Sequence, residues 1–186
     1  MNLLYPKVRN LRKIIPFILI GSVIASIYGV IHDQISYSIS PEYFTAFKFN
    51  QFSYADFSLS DRLYVAIIGV LATWWFGAIS GWFLGRIRFL NDDFETANRD
   101  IINGFYIIFI AVIVFGIAGG IVGYVHAFYF PVETFIGWEN ELPINELKKF
   151  IVVGYIHTSG YIGGLLGIIV STYMLKRKMN SGIISR

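Results

Sequence analysis

The chain has 186 residues, 55% of them hydrophobic and only 15% charged, with a mean hydropathy of +0.60. An ordinary soluble domain carries about 25% charged residues, so this balance excludes a disordered chain, a nucleic-acid-binding tail and most soluble folds. Cysteine is absent, which excludes a disulfide scaffold, a Cys-ligated zinc site and a thiol nucleophile.

Four runs lack Asp, Glu, Lys and Arg altogether: 14–31, 63–85, 101–132 and 150–175. Crossing the hydrocarbon core takes about 20 apolar residues in a helix. Membrane-spanning strands are shorter and alternate strictly, a pattern these runs lack. We therefore expect an all-α integral membrane bundle forming a single domain, with spans over about 14–32, 63–86, 101–128 and 150–175. The first run, preceded by basic residues and followed by Ala25 and Ser26, also matches a secretory signal; we read it as the first span.

The segment 33–62 between spans one and two carries Tyr37, Tyr43, Phe44, Phe47, Phe49, Phe52, Tyr54 and Phe57. A solvated linker has no use for so many rings, so the segment is expected to fold over the bundle or lie in the headgroup layer. Within it, Ile35 to Ile39 alternates apolar and polar residues and reads as a short strand. The link 91–100 is short and polar, making spans two and three antiparallel neighbours. Pro143 with Glu146 marks a helix start ahead of span four.

Charge sets the expected orientation. Eleven of the 15 Lys and Arg, among them Arg12, Lys13, Arg86, Arg88 and Lys178, fall on the side of the two termini. The positive-inside rule makes that side cytoplasmic; separately, we expect a multi-pass protein of a bacterial inner membrane, with the bilayer as its first partner and no nucleic acid. Arg86 and Arg88 are read as ordinary topology anchors.

Every span carries small residues four apart: Gly21, Ala25 and Gly29; Gly69, Thr73, Gly77 and Gly81; Gly119 and Gly123; Gly160 and Gly164. Such stripes let helix backbones approach closely in lipid. All three histidines continue them, His32 three beyond Gly29, His126 three beyond Gly123 and His157 three before Gly160. At about 1.5 Å per residue, His32 and His157 lie about 29 Å above the basic end, and His126 about 34 Å. The three imidazoles are therefore expected to converge at the outer mouth. Asp33 is adjacent, and Glu42 and Glu133 come from loops.

Imidazole with carboxylate suits Zn, Fe, Cu or Mn, and ionisable groups at membrane depth are functional candidates by default. The expected site is a divalent metal held by His32, Asp33, His126 and His157, with Glu42 and Glu133 as loop contributors. Other readings of the same residues stay open: a hydrogen-bonded polar cap on the bundle, a general-base pair, or two axial ligands of a haem. The apolar cytoplasmic halves of the spans argue against a small transporter. The abundance of small-residue faces also suits an accessory subunit of a larger membrane complex. Whether the protein is an enzyme is left open.

Two segments, Tyr28-Gly-Val-Ile-His-Asp-Gln-Ile and Ile39-Ser-Pro-Glu-Tyr-Phe-Thr45, together with Ala72-Thr-Trp-Trp and the Gly-rich second and third spans, give a resemblance to a group of bacterial four-span membrane proteins of uncharacterised activity. The resemblance implies a standalone membrane fold, implies no substrate, and points to His32, Asp33, Glu42 and Tyr43.

Overall fold

The computed structural model describes residues 8–88, 94–130, 142 and 144–184. Its order is α1 (Val8–Ile39), a π-helical turn (Tyr43–Lys48), the single turn α2 (Phe49–Gln51), a 3-10 turn (Ser53–Ala55), α3 (Asp61–Arg88), α4 (Phe94–Tyr129) and α5 (Leu147–Ile184). The four long helices are each long and apolar enough to cross a membrane, so the chain is an all-α membrane bundle. Four crossings bring the termini to one end, here the terminal end; the 40–60 segment caps the other, the loop end.

The four helices are built as two tight antiparallel pairs. In the first, α1 packs along α3, and a Cβ on Gly21 or Gly77 would strike the other's carbonyl oxygen. Only glycine permits that approach, which exchanges side chains for backbone contact where lipid supplies no hydrophobic drive. Thr73 fastens the seam by donating its hydroxyl to Ala25 O at 2.7 Å. In the second pair, Gly119 and Gly123 of α4 lie against Tyr155 and Ser159 of α5. Gly160, by contrast, has nothing within 4 Å of a Cβ position and is no part of a seam.

The pairs join at their ends. Ile14, Phe17, Leu84, Ile101, Phe105 and Leu175 form a buried cluster at the terminal end. Tyr43, Phe44, Val65, Phe150 and Val153 form another at the loop end. Between these clusters α1 and α4 meet through side chains, Tyr28 lying edge to face on Phe109 with centroids 5.9 Å apart. The outer faces, including Trp74 and Trp75 at 48% exposure, present apolar side chains to lipid.

Two expectations are corrected here. Ile35 to Ile39 is the last turn of α1 and no strand. At the edge of a bilayer a helix satisfies its own backbone groups, and in helical register Ser36 turns inward to 1% exposure while Ile35 faces out. Arg62 fastens this turn, donating to Gln34 O and Ser38 Oγ at 3.1 Å. Arg88, read as an anchor, is buried and donates from Nε to Asp100 Oδ2 at 2.9 Å.

Candidate metal centre

The site forms where the last turns of α1 meet α5 beneath the capping segment. Tyr28 and His32, four apart, lie one above the other on α1, with rings stacked at 5.3 Å and the hydroxyl sharing a 3.1 Å hydrogen bond with Nδ1. Asp33, about 100° further round the helix, turns inward at 3% exposure. From α5, His157 enters at 4% exposure. Its ring meets His32 edge to face with centroids 4.6 Å apart, and its Nε2 lies 3.9 Å from Asp33 Oδ1.

One donor atom each from His32, Asp33 and His157 lies within 4.8 Å of the others. Two ligands about 2.1 Å from a tetrahedral ion stand about 3.4 Å apart, so modest side-chain rotation closes the set. Asp33 Oδ2 and His157 Nε2 are both buried without a hydrogen-bond partner in the protein. Buried polar atoms are almost always paired, and two unpaired atoms on side chains that approach to 3.9 Å are the strongest mark of a ligand site among the described residues. With Nδ1 of His32 engaged by Tyr28, Nε2 is the nitrogen left for an ion. Ligation there requires the proton on Nδ1, donated to the Tyr28 oxygen, an arrangement that fixes tautomer and ring together.

The roof is aromatic. Tyr43 stacks on His157 with centroids 4.9 Å apart and planes 20° from parallel, and the fully buried Phe44 stands 6.3 Å from it. Burial pushes the Tyr43 phenol up, with the carboxyl of Asp33 adding to the effect, so it stays neutral. The same π-helical turn carries Lys48, buried at 4% exposure with Nζ 5.6 Å from the Phe52 ring centre. Burial pushes the Lys48 ammonium down, and Asp33 opposes that shift. π-helical turns recur at functional sites, and this one places a cation within electrostatic reach of Asp33. In the sequence Lys48 is marked only as a lone lysine between Phe47 and Phe49.

Of the six expected ligands, the structure brings three together. His126 lies on α4 and shares a 2.7 Å hydrogen bond with the Tyr155 hydroxyl. Tyr155 and His157 are two positions apart on α5, hence on nearly opposite faces, so α5 stands between His126 and the cluster. His126 is thus not among the side chains that gather at the cluster. Glu42 also has other work: its carboxylate accepts from the backbone N–H groups of Asn145 at 3.1 Å and Glu146 at 2.8 Å, and from Asn145 Nδ2 at 2.9 Å. It thus caps the start of α5 from a neighbouring segment and anchors the roof. Glu133 lies outside the described residues. Tyr161, one turn on from His157 along α5, has its ring 6.4 Å from that of His157.

No family model, no curated protein and no solved structure matches this chain.

Proposed function

We propose that this multi-pass membrane protein binds one divalent metal ion through His32, Asp33 and His157. The observation that carries the reading is a group of three side chains with one donor atom each inside 4.8 Å, two of which also hold a buried, unpartnered atom, Asp33 Oδ2 and His157 Nε2. Two imidazoles and one carboxylate with open positions suit Fe(II) or Zn. His32 and His157 meet edge to face at 4.6 Å, which leaves no room for a porphyrin plane between them, so the pair suits an ion rather than haem. Tyr28 holds His32 in its ligating tautomer, and Glu42 keeps Tyr43 over His157. The excess of Lys and Arg at the terminal end supports that end facing the cytoplasm of a bacterial cell, with the metal near the opposite surface.

The test is elemental analysis with an absorption spectrum on tag-free protein in mild detergent. The expected result is about one metal per chain, lost in His157→Ala and in Asp33→Asn and retained in His126→Ala. A metal-free protein, or stoichiometry unchanged in both loss variants, overturns the proposal.

A further inference from the structure

A cavity of about 580 Å³ opens on the side of the bundle between α1 and α4. Its walls are aliphatic, with Ile24, Ile31 and Ile35 on one side and Ile113 and Ile117 on the other; its polar side chains are Tyr28 and His32. These two are also members of, or bonded to, the candidate metal cluster, so cavity and site share a wall. On the loop side the cluster is shut by Tyr43 and Phe44, and its inner members Asp33 and His157 are 3% and 4% exposed. Among the described residues, the approach that reaches the cluster's edge therefore runs sideways, through the membrane-facing cleft.

The cleft has a structural cause. The two glycine-seamed pairs are tight internally but meet each other through buried clusters at the two ends and through side chains between, Tyr28 on Phe109 and Phe76 beside Gly164, and α4 turns Gly116 and Gly120 toward the gap. A Cβ at Gly116 would find nothing nearer than Ile156 O at 4.0 Å, so that glycine serves no close helix approach and leaves the space open. A volume of this size is in the range of ligand pockets, and apolar walls with a few fixed polar groups are their usual construction.

We propose that the α1/α4 cleft is a binding site for a long-chain amphiphile drawn from the bilayer, its hydrocarbon lying along the isoleucines and an acceptor oxygen of its head meeting Tyr28. When His32 Nδ1–H donates to the Tyr28 oxygen, the Tyr28 hydroxyl hydrogen is left to donate to such a head. The inference goes beyond metal binding and stands without it. If both hold, what reaches the ion arrives from the lipid phase and not from water.

The test uses metal-stripped protein in nanodiscs containing a trace of a diazirine-bearing hexadecanol, photolysed and mapped by peptide mass spectrometry. Adducts are expected to concentrate at Ile24, Ile113 and Ile117 over Leu19 and Ile169, which are at least as exposed and lie outside the cleft. Gly116→Phe fills the cleft and should lower that yield about tenfold, the loss of about two buried methylenes. Tyr28→Phe keeps the shape of the cleft and should lower yield for the alcohol but not for a diazirine alkane lacking the hydroxyl. Labelling in proportion to exposure around all four helices overturns the site, as does a cross-link to a second copy of the chain at these positions. Equal Tyr28→Phe yields for the two probes overturn the recognition of a head. Because metal is absent throughout, none of these results bears on the metal proposal.

Discussion

The bundle buries a carboxylate at each end, and the two are treated differently. At the terminal end Asp100, 6% exposed, has both oxygens engaged: Arg88 Nε donates to one at 2.9 Å and Lys178 Nζ to the other at 2.6 Å. Those partners come from α3 and α5, so one α4 carboxylate ties three helices. At the loop end Asp33, 3% exposed, has one oxygen with no hydrogen-bond partner and the other 3.9 Å from a histidine that is itself unpartnered at Nε2. The same residue type, equally buried, is saturated in one place and unsaturated in the other. A saturated buried ion network is a fastening. An unsaturated one lowers stability unless something outside the chain completes it, and that asymmetry is what the metal proposal rests on.

The contrast predicts opposite responses to removing each charge. Asp100→Ala strands the buried Arg88 and should lower unfolding stability by about 3–5 kcal/mol, read as a drop in thermal midpoint in detergent with metal content per folded chain unchanged. Asp33→Asn removes a carboxylate that the metal-free protein leaves unpaired. Metal binding should vanish, while the metal-free form is at least as stable as the parent, gaining up to about 1–3 kcal/mol. Equal destabilisation by both changes would remove the distinction between the two ends.

Smaller changes sharpen the same comparison. Tyr28→Phe deletes the group that holds His32 Nδ1 and should weaken metal affinity about 10–100-fold without moving the thermal midpoint of metal-free protein. A purely structural Tyr28 would do the reverse. Glu42→Gln should cost about 1 kcal/mol at neutral pH through the weakened cap on α5. The Glu146 backbone N–H, with Asn145, holds the Glu42 carboxyl below its ordinary value. Its contribution is therefore present in full above the ordinary carboxylate pKa of about 4.3 and disappears as pH falls through the lowered folded value. The stability gap between Glu42→Gln and parent should close over that acid range, and a gap constant with pH would dissociate the cap from the charge.

How much of this was legible depended on the range of the interaction. The four spans follow from charge-free runs whose length is dictated by the thickness of the bilayer, a constraint each segment meets alone. The seam glycines were visible for the same reason, as a period on one helix. Ile35 to Ile39 misled because two-residue alternation cannot register a helix already running and carried on by its own backbone bonds. Among the histidines, residue counts along each helix brought His32 and His157 to one level, and these two do meet. Azimuth was not readable, since which face of α5 looks toward α1 is set by Gly119 and Gly123 pressing on Tyr155 and Ser159.

By itself, then, the sequence determined what each segment does against lipid: that it is helical, that it spans, and that its small residues recur at one spacing. Those properties are local, fixed by hydrocarbon thickness and backbone hydrogen bonding. Only the tertiary structure decided which faces meet. It placed His126 with Tyr155 and away from the cluster, assigned Glu42 to a helix start, buried Lys48 within electrostatic reach of Asp33, and opened the α1/α4 cleft. Each of these depends on the relative rotation of two helices, and that rotation is settled by packing between residues far apart in the chain.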